Sequence, residues 1–329
     1  MSAEKATTSE QIATGVAHSK LILIGEHAVV HGQPAIAIPF PLVGVEAEVD
    51  YVPGAIKIDS TFYHGPIDSA PSALKGIVMC IKETLSTLDM PSKDLLIKIK
   101  SSIPPGKGLG SSASVAIAVI RSLFSYSEQA YTENDILSLA NVSETYAHGA
   151  PSGIDPLTIT SGSPVWYTKS EGPCFIKPHT DFYFIVADSG RTADTRSAIE
   201  SVAKLLKAAP KKIQSKIERI GKLTHQAKSA LEKTGKQLLG TLLNEAQKEL
   251  EALGVSDAGL NRLIYMARQE GALGAKLTGG GNGGCIIALA RDEVHSRYLA
   301  EKLLKFGAQA VWPFKLQKSD DMNDDGFDR

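Results

Sequence analysis

Residues 104–114 read PPGKGLGSSAS, two prolines and three glycines leading into a Ser-Ser pair and the apolar run VAIAVI. Glycines let backbone N–H groups approach a ligand without an intervening Cβ, and a helix starting at Ser111 or Ser112 adds unpaired N–H groups and a positive dipole end. That chemistry is anion binding, above all of nucleotide phosphates. A plain glycine turn before a buried helix, with serine as the N-cap, is the alternative. Three common glycine loops fail on spacing. A Walker A loop needs Ser or Thr after its lysine, and Gly108 follows Lys107. A dinucleotide fingerprint would have its third glycine at Ser111, and a protein-kinase loop counted from Gly108 would have its last at Ala113. A second run, TGGGNGG at 278–284, holds more glycine than a two-residue hairpin turn needs, so a ligand pressed against the backbone is favoured there too.

Single polar residues say less by themselves. Asp155 lies in PSGIDP, where an aspartate bonding its own turn is the ordinary reading. A lone Glu144 on a helix reads as a solvated face, Lys20 as a lysine at a strand start, and His27 as a packed histidine.

The elements that must position these residues follow from periodicity. Lys20–Ile24 and Val43–Tyr51 are expected strands, the second alternating Val45, Ala47 and Val49 with Glu46, Glu48 and Asp50. A helix over 72–88 and a strand over Asp94–Ser101 lead to the first glycine loop. Buried helix 112–124 and helix 133–148 follow, the latter stopped by Gly-Ala-Pro at 149–151. A second half opens around 166–172, with strand 182–188, helices over 193–207, 211–233, 236–252 and 256–270, a strand-loop-strand unit over 274–290, a helix over 292–306 and a strand over 308–315. The class is α+β in two halves, as 329 residues also suggest. Expected domains are 1–166 and 167–317, followed by a disordered acidic tail at 318–329.

Composition narrows the partners. A formal net charge of -1 gives no global basic field for nucleic acid or anionic lipid. Three separated cysteines, Cys80, Cys174 and Cys285, form neither a disulfide framework nor a CxxC metal site and suit a reducing compartment. The polar start MSAEKATTSEQ is unlike a signal peptide, and the longest uncharged stretch, 28–45, carries Pro34, Pro39 and Pro41. The expectation is a cytoplasmic protein with no membrane or nucleic-acid partner.

Taken together, four stretches resemble the galactokinase, homoserine kinase, mevalonate kinase and phosphomevalonate kinase (GHMP) superfamily. PPGKGLGSSAS is similar to its phosphate loop. KLILIGEHAVVHG (20–32) resembles the N-terminal motif of the mevalonate kinases, KLTGGGNGGC (276–285) the third motif, and ETYAHGAPSGIDP (144–156) a mevalonate kinase pattern that phosphomevalonate kinases lack. The chain departs from the pattern at Lys107, where a small residue is usual, at Asn282, where glycine is common, and at Ala17-His18-Ser19.

The resemblance implies a two-domain GHMP-kinase-like fold with the active site in an interdomain cleft. It implies phosphoryl transfer from ATP to the small molecule mevalonate, with Mg²⁺, in isoprenoid synthesis. Pro105, Gly106, Lys107, Gly108, Leu109, Gly110, Ser111 and Ser112 would then hold the nucleotide, and Ser112 and Glu144 the metal. Asp155 would be the catalytic base, and Lys20 the cation steadying the hydroxyl. Glu26, His27, Thr195 and Arg196 would line the substrate pocket with them, the arginine clamping a carboxylate. A kinase for a related acceptor, phosphomevalonate first, is the near alternative. A binding protein that keeps the fold without catalysis is the distant one, although Lys20, Ser112, Glu144 and Asp155 are all present. The oligomeric state stays open, a homodimer included.

Overall fold

The structure, a computed structural model, describes residues 13–148, 153–193 and 195–319. The order is β1 (Ala13–Ile24), β2 (Ala35–Tyr51), β3 (Lys57–Ser60), β4 (His64–Pro66), α1 (Lys75–Thr87), β5 (Leu95–Ser101), α2 (Ser111–Tyr126), α3 (Glu133–His148), α4 (Ile154–Ser161), β6 (Val165–Thr168), β7 (Gly172–Phe175), β8 (Phe182–Asp188), α5 (Thr195–Ala208), α6 (Pro210–Ser229), α7 (Lys236–Ala252), α8 (Ala258–Gln269), β9 (Gly274–Thr278), β10 (Cys285–Ala290), α9 (Glu293–Lys305) and β11 (Ala310–Leu316). One sheet runs β4-β3-β5-β2-β6-β7 with β1 on β2, and the other β11-β8-β10-β9. The chain forms two compact units, each discontinuous in sequence.

The first unit takes in residues up to Ala17, Gly44–Ser102 and Ser112–Pro151. Within it the outer half of β2 buries Val45, Ala47 and Val49, as its alternation predicts. The opposite face sets register with charge. Glu48 lies across from Lys98, yet the ion pairs run diagonally, Glu48 to Lys100 and Asp50 to Lys98, both at 2.6 Å. Helix α2 is buried almost all round. A Cβ on Gly15 would stand 2.2 Å from the Ala118 carbonyl oxygen, so only glycine lets β1 lie on that helix.

The second unit holds His18–Val43, Ile103–Ser111 and the chain from Ser152 onward. Strands β8 and β10 are buried along most of their length, which is why FYFIVAD and CIIALA are nearly continuous apolar runs. Helices α5, α6, α8 and α9 contribute Val202, Ile217, Ile220, Leu263 and Leu299 to the core behind this sheet. The side chains of Asp257 and Asp292 cap α8 and α9, accepting from the N–H groups of Leu260 and His295. Helix α6 begins with Pro210 at its first turn and runs into a π-helical turn at Ala230–Thr234, which Gly235 ends.

Several elements differ from the sequence expectation. Strands β1 and β2 are longer, and β2 passes through Pro39 and Pro41. The β6 pairing ends at Ala37 and the β5 pairing starts at Val45, so the prolines fall where neither ladder needs an N–H. Phe40 between them is fully buried, edge-on to Phe314 at 5.2 Å. The region around 166–172, expected to open a second half, instead supplies β6 and β7 to the first sheet. Helix α4 and strands β3 and β4 were not expected either. Of the expected acidic tail, 320–329 lie outside the described residues.

Candidate active site

Strand β1 carries Lys20 past the glycine loop and fixes it there. The backbone N–H of Lys20 and the hydroxyl of Ser19 both donate to the carbonyl of Leu109, at 3.3 and 2.5 Å. Leu109 itself is buried and anchors the loop. The Lys20 ammonium lies 2.7 Å from Asp155 Oδ1, with the lysine side chain 6% exposed and the aspartate 27%. Asp155 stands in the first turn of α4, just after Gly153 in the left-handed region. Sequence reasoning set Lys20 opposite Asp155 across an acceptor; the structure joins the two directly.

The loop has the backbone that its sequence requires. Gly106, Gly108 and Gly110 have φ of 66°, 74° and 76°, in the left-handed region that glycine adopts without strain. A Cβ on Gly110 would press on Lys20 Cγ and Cε at 3.0 Å, and one on Gly108 would reach the Gly279 backbone at 3.2 Å. The two glycine runs therefore touch through their main chains. Asn282, the departure in the second run, sits at φ 53°, which asparagine tolerates better than most side chains.

Glu26 and His27 follow on a tight turn. Glu26 Oε1 accepts from the Lys276 ammonium at 2.5 Å, with side chains 3% and 0% exposed, and Lys276 also donates to the Leu277 carbonyl. Burial pushes the Glu26 carboxyl up and the Lys276 ammonium down from their ordinary values, each partner opposing the shift of the other. His27 is held at φ 60°, and its Nε2–H donates to the Gly280 carbonyl at 2.8 Å. Burial lowers its pKa, so the ring is neutral with its proton on Nε2, leaving Nδ1 an acceptor. Among the described residues, His27 Nδ1 and Glu26 Oε2 are buried without a hydrogen-bond partner. Two adjacent acceptors of this kind suit a ligand hydroxyl or a water.

Sequence reasoning passed over Lys276 and Asp188. The signal for Lys276 was a lone lysine in the otherwise apolar strand β9, every residue of which is buried. Asp188 closes the apolar strand FYFIVAD and accepts from the Lys107 ammonium at 2.7 Å.

Ser112 and Glu144 belong to the other unit. Ser112 is exposed on the first turn of α2, and Glu144 is buried on α3. Their hydroxyl and carboxylate oxygens are the hard donors that Mg²⁺ accepts. Among the described residues no cluster of three or more His, Cys, Asp or Glu side chains is present; a Mg²⁺ ion on nucleotide phosphates takes only one or two protein ligands. Thr195 and Arg196 open α5, and their side chains lie outside the described residues. No described helix is long and apolar enough to cross a membrane.

Residues 65–163 match the GHMP kinases N terminal domain and residues 227–309 the GHMP kinases C terminal. The chain is 34% identical over 298 residues to the mevalonate kinase of Pyrococcus furiosus, covering 84% of this chain and 89% of that one. With the mevalonate kinase of Aeropyrum pernix it shares 32% over 305 residues, 89% of this chain and 93% of its relative. Among solved structures, L. major mevalonate kinase in complex with R-mevalonate superposes with a TM-score of 0.81 at 26% identity, covering 96% of this chain and 99% of that one. Methanococcus jannaschii mevalonate kinase gives 0.78 at 25% identity, over 95% and 100%. With both halves of the pattern matched and relatives aligned over most of their length, the chain belongs to the mevalonate kinases of the GHMP kinase family.

Proposed function

We propose that the enzyme transfers the γ-phosphoryl group of ATP to the 5-hydroxyl of mevalonate, releasing ADP and 5-phosphomevalonate. The observation that carries this reading is the Lys20–Asp155 pair, 2.7 Å apart, beside a glycine loop whose Gly110 lies against Lys20. Asp155 takes the proton of the acceptor hydroxyl as the new P–O bond forms and the bond to the β-phosphate breaks. Lys20 stabilises the negative charge that grows on the attacking oxygen. The N–H groups of residues 106–111 hold the phosphates, and Glu26 Oε2 and His27 Nδ1 supply acceptors that orient the hydroxyl-bearing substrate. Ser112 and Glu144 are the residues that would hold Mg²⁺, which supplies positive charge to the triphosphate when bound. Arg196 is the proposed partner of the substrate carboxylate. The free thiols of Cys80, Cys174 and Cys285 suit an enzyme of the cytoplasm.

The test is ADP release with mevalonate, phosphomevalonate, homoserine and galactose as acceptors. Turnover is expected with mevalonate. Turnover with another acceptor and none with mevalonate overturns the substrate assignment, and binding of ATP without turnover on any of them favours the non-catalytic reading.

A further inference from the structure

Lys107, where this loop departs from the small residue of the family pattern, is directed into the protein. Its side chain is 7% exposed, and its ammonium donates to Asp188 Oδ1 at 2.7 Å and to the Arg191 carbonyl at 2.9 Å. The Asp188 side chain is 5% exposed, and the same oxygen accepts from the Gly190 N–H at 2.8 Å. The surrounding main chain is tied to the same points. Ala193 N–H donates to the Gly106 carbonyl at 2.8 Å, Gly284 N–H to the Arg191 carbonyl at 2.7 Å, and both the N–H and the hydroxyl of Ser189 to the Gly284 carbonyl. One lysine thus joins the phosphate loop at 106–110 to the turn at 188–193, and the main chain of that turn and Ser189 bond in turn to Gly284 of the second glycine run.

A lysine in a phosphate loop would ordinarily be read as a ligand of the phosphates. To reach a triphosphate, Lys107 would have to give up two acceptors and leave the Asp188 carboxylate buried without its counter-charge, which is strongly unfavourable. We propose that Lys107 is a nucleotide-positioning residue and not a phosphate ligand. Its ion pair with Asp188 is a clasp that holds the loop N–H groups in the geometry that binds ATP. The inference rests on residues 106–111 being the nucleotide site, as argued above. A loop made mostly of glycine has large conformational freedom to lose, and a clasp removes that freedom before the ligand arrives.

The two roles make opposite predictions for Asp188. Under the clasp, Asp188→Asn and Lys107→Met damage the same device, and each raises KM for ATP and Kd for ADP about tenfold, about 1.4 kcal/mol, with KM for mevalonate changed less than about twofold. Under direct phosphate binding, Asp188→Asn frees the ammonium and leaves or lowers KM for ATP. The double variant K107M/D188N carries no lone buried charge, so it keeps the test readable if a single variant does not fold. Its Tm is expected above that of either single variant, while its KM for ATP stays as high as theirs. An unchanged or lowered KM for ATP in D188N overturns the proposal, and so does a double variant whose KM recovers in step with its Tm, since that is support of the fold alone. Gly110→Val separates this failure from failure of the site itself. If G110V weakens ATP while K107M and D188N do not, the clasp is wrong; if G110V also leaves ATP affinity intact, the loop is not the nucleotide site.

Discussion

Asp155 and Lys20 share one hydrogen bond in the structure, so a change at either alters the other. Asp155→Asn keeps the size of the side chain and its bond to Lys20 but removes the basic oxygen, and kcat is expected to fall about 10²–10⁴-fold. ATP affinity should stay near that of the parent, because the loop and not Asp155 holds the phosphates. Lys20→Met lowers kcat as well, and the double variant should lose far less than the product of the two, since both act on one hydroxyl. A steady-state comparison of the four proteins decides it; independent, multiplying losses mean the pair does not act as a unit. Glu26 and Lys276 give a residue-scale prediction about stability. Lys276→Met leaves a buried carboxyl without its partner and should cost about 3–5 kcal/mol where that carboxyl is charged. Burial already raises the Glu26 carboxyl, and losing the ammonium raises it further. The folded state then holds the proton more tightly than the unfolded chain. Stability is present at pH below the ordinary carboxylate range and is lost as pH rises through the raised value. Melting curves of K276M and E26Q/K276M should therefore diverge as pH rises from about 4 to 8; parallel curves exclude an ionising Glu26 as the cause.

The glycine loop shows how an element constrains its residues. Gly110→Val meets two obstacles, a φ of 76° closed to a branched side chain and the Lys20 stem at 3.0 Å. Its effect should reach both substrates' chemistry, raising KM for ATP and also lowering kcat through displacement of Lys20. Gly32 is the control. It has a φ of 83° but nothing within 4 Å of an added Cβ, so Gly32→Ala should cost only the backbone strain, about 1 kcal/mol, with kinetics unchanged. Thermal melting and steady-state kinetics on both variants separate strain from contact. Should G32A lose activity as G110V does, a left-handed glycine anywhere near the site would suffice to explain the loss.

At the scale of the molecule, the residues named above divide between the two compact units. Lys20, Glu26, His27, the loop to Ser111 and Asp155 lie in one, and Ser112 and Glu144 in the other. Glu144→Gln removes one charged oxygen from the proposed metal pair. It should shift the magnesium dependence of turnover to higher concentration while leaving the melting transition cooperative. A magnesium titration matching that of the parent removes Glu144 from the metal site.

Much of this was legible in the sequence, because it depends on local chemistry. Alternation in Val43–Tyr51 foretold which face of β2 is buried, and the glycines at 106, 108 and 110 foretold a backbone that only glycine adopts freely. The apolar runs of β8 and β10 announced strands; that both are buried along most of their length appears only in the structure. The extent of β2 was not legible. Two prolines break a strand by local rules, and only the tertiary register shows that they fall in the gap between the β6 and β5 ladders. The short strands β3, β4, β6 and β7 carry too few residues for periodicity to show. Direct contacts between residues distant in the chain were hidden, because local rules carry no information on them; the resemblance set Lys20 and Asp155 on either side of one hydroxyl but not in contact with each other. Lys20 with Asp155, Glu26 with Lys276 and Lys107 with Asp188 are 135, 250 and 81 positions apart. Sequence specified the type of each side chain and the local turn that carries it. Which charge faces which was decided by tertiary packing, because a buried ion persists only where the fold places its counter-ion beside it.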